Sequence, residues 1–335
     1  MTALLEIEGL KKYYPVGKTL RGKPTQVVKA VENVSFAVER GKTLGIVGES
    51  GCGKSTTARL LMHLIQPDSG RIAIDGQEFG EGQRPVNELR RRMQMVFQDS
   101  YASLNPRLTI EDSIAFGPRI NRASEDQSRR KARDLLARVG LDPDNFIRRY
   151  PHELSGGQRQ RVNIARALAI EPEIVILDEA VSALDKSVQA QVLNLLADLK
   201  AEFHLTYLFI SHDLNVVQYV SDEVLVMYLG QVVESGPVEK LYAYPAHPYT
   251  RALLSALPAQ RPSERKTHIV LQGDPPNPIS PPSGCRFHPR CPVAEAVCAQ
   301  VDPPLSDVGS GRFVACHMRI PGSGYSNVQP LEVTV

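Results

Sequence analysis

The 335-residue chain is predicted to fold as an α/β protein on a largely parallel sheet, and three features of the sequence carry that prediction. A short apolar run at 42–48 feeds a glycine-rich loop and then a helical stretch at 54–65, which is half of a βαβ unit. Apolar runs at 174–178, 207–211 and 224–228 alternate with loops, and a helical stretch at 188–203 lies between the first two. Strands buried on both faces read as near-continuous apolar runs, and alternation with helices implies a sheet covered on each side. Hydrophobic residues at 42% supply a core, and the length suits one large domain with an appendage or two domains.

From residue 5 to about 74, short apolar runs are broken by Gly and Pro. Residues 121–140 are charged, with Leu135, Leu136 and Val139 at helical spacing, and read as a surface helix; a second helix covers 157–169. Beyond 237 the composition changes. Pro245, Pro248, Pro258 and Pro262 punctuate the chain, and residues 274–282 hold five prolines in nine positions. This reads as a linker and a loop-rich appendage held by something other than a core. No apolar run reaches the roughly 18 to 20 residues that span a bilayer. The first ten residues mix Glu6 and Glu8 with leucines and lack the regions of a signal peptide. A formal net charge of +2 gives no strong field towards nucleic acid or an anionic membrane. The expectation is a soluble, cytoplasmic chain that reaches a membrane through partners and has no nucleic-acid partner.

The sequence G-E-S-G-C-G-K-S at 48–55 fits the phosphate-loop pattern G-x-x-x-x-G-K-[ST]. Gly48, Glu49, Ser50, Gly51, Cys52 and Gly53 offer converging backbone N–H groups, and the following helix, with Thr56 in its first turn, points its positive end at the phosphates. Lys54 is expected on the β- and γ-phosphates of ATP, and the Ser55 hydroxyl on Mg²⁺. The strand at 174–178 ends in Asp178 and Glu179. Asp178 is placed to support Mg²⁺, and Glu179 to polarise an attacking water as general base. The stretch L-S-G-G-Q at 154–158 puts Ser155, Gly156, Gly157 and Gln158 at a second helix start suited to an anion. One nucleotide does not need two such sites from one chain, so the second makes sense on a nucleotide held by a partner. Against each stands a plainer role: a glycine turn, a strand meeting solvent, an ordinary N-cap.

Together with Gln98, the S-A-L-D stretch ending at Asp185, and His212, these segments closely resemble the ABC-type ATPases over residues 1 to about 258. The resemblance implies a RecA-like core, a helical signature subdomain at about 100–165, and two such domains closing head to tail on two ATPs. It also implies that Gln98 links Mg²⁺ and water to a membrane partner, and that Ser155 and Gly157 hold the γ-phosphate of the opposite site. Asp185 becomes the D-loop residue, His212 the switch histidine, and Tyr14, in preference to its neighbour Tyr13, the aromatic on adenine.

Further stretches resemble the ATPases of dipeptide and oligopeptide importers, and one of their two paralogues, the F-type subunit, in particular. These are Q-D-S-Y-A-S-L-N-P-R at 98–107, D-E-A-V-S-A-L-D at 178–185, H-P-Y-T at 247–250 and K-K-Y-Y-P-V at 11–16. That resemblance implies a second, paralogous ATPase in a heterodimer, two transmembrane permeases, an extracytoplasmic peptide-binding protein, and a place on the cytoplasmic face of the plasma membrane. Residues 1–258 then form the ATPase domain and 259–335 an extension. Cys285, Cys291, Cys298 and Cys316 crowd that extension, and in a cytosolic protein such clustering points to metal before disulfides. The spacing lacks the close pair usual for zinc. Four thiolates suit a [4Fe–4S] cluster, which the resemblance to peptide-importer ATPases also implies, with Zn²⁺ (where His288 or His317 replaces one cysteine) and free thiols as alternatives. Cys52 stays outside that set and reads as a small residue of the loop, with alkylation of its thiol as the other reading. Two other classes compete: a soluble ABC protein acting on ribosomes or DNA, which usually carries two cassettes or a coiled-coil insertion, and an exporter ATPase. Glutathione and nickel chelates stand beside peptides as cargo.

Overall fold

The computed structural model describes residues 3–17, 25–257, 273–274 and 276–329. Strands β1 (Ala3–Val16) and β2 (Gln26–Glu39) pair antiparallel, and β3 (Thr43–Val47) then enters the interior with all five residues buried. Helix α1 (Lys54–Leu61) follows the glycine loop and stops short of residue 65. Strands β4 (Ser69–Ile74) and β5 (Gln77–Glu78) complete a four-stranded sheet in the order β2-β1-β4-β5. After α2 (Val86–Arg92), strand β6 (Met93–Val96) leads into α3 (Ile110–Ile120), α4 (Glu125–Arg138), α5 (Pro143–Phe146) and α6 (Gly156–Leu168). The chain returns through β7 (Ile174–Asp178), α7 (Lys186–Phe203), β8 (Thr206–Ile210), α8 (Leu214–Val220), β9 (Glu223–Tyr228) and β10 (Gln231–Pro237). Then come α9 (Val238–Ala243), α10 (Pro248–Ser255), α11 (Ala296–Gln300), β11 (Ser306–Asp307) and β12 (Phe313–Val314).

The second sheet has eight strands in the order β11-β12-β10-β9-β3-β8-β7-β6, parallel from β9 through β6. Alternation along its strands divides the interior into two layers. Ile174 and Ile176 of β7, Leu208 and Ile210 of β8, and Leu225 and Met227 of β9 face α1 and the antiparallel sheet. Val175 and Leu177, Tyr207 and Phe209, and Val224, Val226 and Tyr228 face the other way, into a core shared with α3, α4 and α6. Side-chain caps start the helices of that inserted layer: Thr109 for α3, and Ser124 with Gln127 in a capping box for α4.

The described C-terminal tail is loop-rich as expected, with elements of two to five residues, but the main core holds it. Pro248 does not break structure but opens α10 at its first turn, where a missing N–H costs nothing. Strands β12 and β11 extend the eight-stranded sheet from its β10 edge, and Phe287 is 1% exposed within the main core. Arg312 pairs at 3.1 Å with Glu234, a fully buried carboxylate that also accepts from the N–H groups of Ala246 and His247 at 2.9 Å each. The tail is therefore seated on the main core, where the sequence predicts an appendage held by something other than a core. Among the described residues no helix is long and apolar enough to cross a membrane.

Candidate nucleotide site

The loop at 48–55 leaves the buried end of β3 and closes onto α1, and its glycines are required by space as well as by torsion. At Gly48 (φ 150°) a Cβ would lie 2.2 Å from the Met227 carbonyl oxygen, and at Gly53 (φ 107°) 2.4 Å from that of Ala30. Lys54 folds back over the loop, its Nζ donating to the carbonyls of Gly48 at 2.8 Å and Glu49 at 3.0 Å. Ser55 Oγ donates to Asp178 Oδ1 at 2.9 Å. Burial raises the Asp178 carboxyl above the usual range and the Glu179 charge adds to that, while the bond from Ser55 opposes it. This hydroxyl and this carboxylate are hard oxygen donors side by side, which suits Mg²⁺.

Glu179 stands next to Asp178 with a left-handed φ of 48°, so its side chain turns towards two polar neighbours. Gln98 Nε2 donates to Glu179 Oε2 at 3.1 Å, and His212 Nδ1 lies 3.3 Å from the same oxygen. One cavity of about 510 Å³ is lined by Ser50, Gly51, Gly53, Lys54, Ser55, Thr56, Gln98, Glu179 and His212. Four of the segments singled out in the sequence thus meet at one place. Gln98 and Asp178 also line a second, larger groove of about 1100 Å³ between the core and the inserted helices, whose rim carries the exposed Phe116 and Ile120. Tyr14 pairs across the strands with Val28, a residue of the nucleotide-sized cavity's wall, whereas Tyr13 gives its hydroxyl to Glu32 at 2.5 Å.

The signature residues stand elsewhere. Ser155 caps α6, its Oγ accepting from the Gln158 N–H at 3.3 Å, and Gln158 Oε1 accepts from the Ser155 N–H at 3.0 Å. Gly157 packs on α7, where a Cβ would meet Val188 at 2.5 Å, and Gly156 faces Leu184. Asp185 caps α7 by accepting from the Val188 N–H at 3.0 Å, and its bonds from Ser187 and Val188 lower its pKa. None of these five lines the cavity.

Three contacts escaped the sequence reading. The Tyr249 hydroxyl accepts from the Glu49 N–H at 2.9 Å, Arg290 pairs with the Glu49 carboxylate at 2.9 Å, and Pro278 of the tail lines the cavity. No spacing rule joins residues 200 or more positions apart. Cys52 is 3% exposed and burial raises its thiol's pKa, which favours the small loop residue over a site of alkylation.

Cys285, Cys291, Cys298 and Cys316 line one small cavity of about 10 Å³ together with His247, His288 and His317. Burial pushes the Cys285 thiol up to about 12 and the Cys316 thiol up to about 11, and Cys291 also rises. The expected metal centre is not formed as such: among the described residues, no three or more His, Cys, Asp or Glu are grouped so as to hold a metal ion. The four cysteines share that cavity, Cys298 buried and the other three half-buried, and each offers a sulfur donor.

Family models described as "ABC transporter" and "Oligopeptide/dipeptide transporter, C-terminal region" match residues 31–182 and 233–298. A probable peptide ABC transporter ATP-binding protein of Sinorhizobium fredii is 52% identical over 96% of this chain and 91% of its own length. The oligopeptide transport ATP-binding protein AppF of Bacillus subtilis is 50% identical (94% and 97% covered), and the dipeptide transport ATP-binding protein DppF of Haemophilus influenzae 51% (94% and 96%). Among solved structures, cbiO1 of Clostridium perfringens, part of an ABC transporter complex, aligns with TM-score 0.62 at 28% identity, covering 72% of this chain and 91% of that one. An ATP-binding cassette solved as a dimer with ADP and Pi aligns with TM-score 0.60 at 28% identity, covering 70% and 98%. The chain belongs to the family of peptide ABC transporter ATP-binding proteins, and it is an ABC-type ATPase in fold and in lineage.

Proposed function

We propose that this chain binds and hydrolyses ATP at the cavity around the phosphate loop and so powers the import of di- and oligopeptides. The observation that carries the reading is the meeting of Gln98 and His212 on the Glu179 carboxylate beside Lys54, Ser55 and Asp178. Lys54 moves from the loop carbonyls to the β- and γ-phosphates, and the N–H groups of the loop hold the rest. Ser55, with Asp178 behind it, would hold Mg²⁺, which would supply charge to offset that building on the phosphates. Glu179 takes the proton of the attacking water; Gln98 fixes the carboxylate's orientation, and His212 senses the γ-phosphate. Tyr14 stacks on adenine from the Val28 side. Replacing Glu179 by Gln keeps its shape and removes its basicity, so turnover should fall about 10³-fold or more while ATP binding persists. Near-normal hydrolysis in Glu179→Gln would falsify this assignment.

Ser155, Gly157 and Asp185 serve the site of a second ATPase, a reading supported by their position outside this chain's own cavity. That partner is a paralogue in a heterodimer. Permeases engage the groove that Gln98 shares with the nucleotide cavity, which puts the chain on the cytoplasmic face of the membrane and the peptide-binding protein on the far side. Residues 1–258 act as the ATPase domain, with its helical subdomain at about 100–165, and 259–335 as the extension. The four tail thiols would hold a [4Fe–4S] cluster, Zn²⁺ being the alternative, after drawing closer than they stand in this structure; their common cavity supports this. The group would staple α11, which carries Cys298, to the turn at 288–290 and to the chain just after β12, without redox chemistry. Anaerobically purified protein should carry iron and acid-labile sulfide, and the absence of both would remove the cluster.

A further inference from the structure

We propose that Arg290 of the C-terminal extension is a positioning residue for the phosphate loop, neutralising and holding the Glu49 carboxylate so that the loop accepts nucleotide phosphates. The proposal rests on the cavity being the ATP site. Glu49 is the only acid among residues 48–55, so a negative side chain stands in a segment built to receive a polyanion. Arg290 meets it from outside the loop, Nη1 lying 2.9 Å from one carboxylate oxygen and 3.2 Å from the other. The Arg290 side chain is 7% exposed, and its Nε is buried with no hydrogen-bond partner among the described residues. With the arginine buried and the Glu49 side chain 25% exposed, the pair is screened less by salt than a surface pair would be.

The same residue is held through its backbone. The Tyr249 hydroxyl takes the Glu49 N–H, and Tyr249 packs 4.6 Å from Tyr228 and 5.4 Å from Phe287, ring centre to ring centre. Phe287 opens the short turn that carries Arg290, and Tyr228 Oη lies 3.5 Å from Arg290 Nη1. Side chain, N–H and carbonyl of Glu49 are thus each committed, to Arg290, Tyr249 and Lys54 in turn. Arg290 lies 241 positions along the chain from the loop it steadies. When ATP draws Lys54 away from the Glu49 carbonyl, the other two contacts remain and keep the loop's shape.

The test is equilibrium binding of MgATP to the full-length chain. Arg290→Gln should raise Kd about tenfold, the size of a coupling of about 1.4 kcal/mol, with a cooperative melting transition retained. Removing the charge that Arg290 offsets should undo the loss, so Glu49→Gln/Arg290→Gln should bind within about threefold of Glu49→Gln alone. Arg290→Lys should lie between wild type and Arg290→Gln, because it keeps the charge but not the planar guanidinium whose Nη1 meets both Glu49 oxygens and Tyr228 Oη. An unchanged Kd in Arg290→Gln, or a double variant about tenfold weaker than Glu49→Gln, would show a packing role only and overturn the proposal. Should Arg290→Gln not fold, the comparison of the double variant with Glu49→Gln decides by itself in the same two directions. Lys54→Ala separates the two levels: if it abolishes binding, the ATP site stands whatever Arg290 does, and if it binds normally, the site reading fails first.

Discussion

His247 must be neutral because it accepts a hydrogen bond. Its Nδ1 takes the Tyr249 N–H at 3.1 Å and caps α10, while the ring is 1% exposed against Phe287. Burial pushes its pKa from the ordinary 6.5 down to about 3. The folded value lies below the unfolded one, so the unfolded chain takes up the proton first on acidification. The stability this ring contributes is whole above pH 6.5 and drains as pH falls towards about 3, by about 1.4 kcal/mol per unit. Denaturation midpoints in urea at about pH 7 and about pH 5 should therefore differ, and His247→Asn, which keeps an acceptor at the cap, should shrink the difference. Equal slopes in the two proteins would discount the ring. Residues of this kind were not legible in advance. Lys54, Ser55, Asp178 and Glu179 were, because a phosphate loop and a strand end are contiguous and each position's chemistry follows from its neighbours. His247 and Tyr249 were seen as a motif, but the bond from Glu49 to Tyr249 exists only after α10 folds back over the loop.

At the scale of elements, α6 carries two roles at one residue. Ser155 caps the helix in a reciprocal box with Gln158, and it is also the residue proposed to meet a nucleotide across the dimer. The two roles separate chemically, since Asp caps a helix as well as Ser does but brings a negative charge to a phosphate. Ser155→Asp should leave the unfolding midpoint within about 0.5 kcal/mol of wild type. ATP turnover by the assembled transporter should then fall about 10²-fold or more, as expected when a phosphate donor is lost. A stable Ser155→Asp variant with normal turnover would leave only the cap. The parallel strands and their helices were readable from period and burial, and β7, β8, β9, α6 and α7 lie within two residues of their expected positions. The tail was not readable, because β11 and β12 are two residues each, too short for any periodic signal, and exist through the β10 edge they pair with.

Across the whole molecule, the tail and the ATPase core form one packed body in which sheet, buried ion pair and phosphate loop are joined. Glu234 is 0% exposed and Arg312 of the tail is its cation, so Arg312→Met should cost about 3–5 kcal/mol by stranding a buried carboxylate. The melting temperature should fall steeply, and a loss within about 0.5 kcal/mol would mean that the two N–H groups suffice for Glu234. A proline-rich composition hid this arrangement, since proline says only where regular ladders stop and nothing about which core a loop's Phe287 will enter. If hydrolysis at Glu179 drives peptide import, the decisive measurement is ATP turnover by the complex purified from native membranes through this chain. With permeases and a second ATPase present, turnover should rise when peptide-loaded binding protein is added and vanish in Glu179→Gln. Turnover that ignores the loaded binding protein, or survives Glu179→Gln, would contradict the claim.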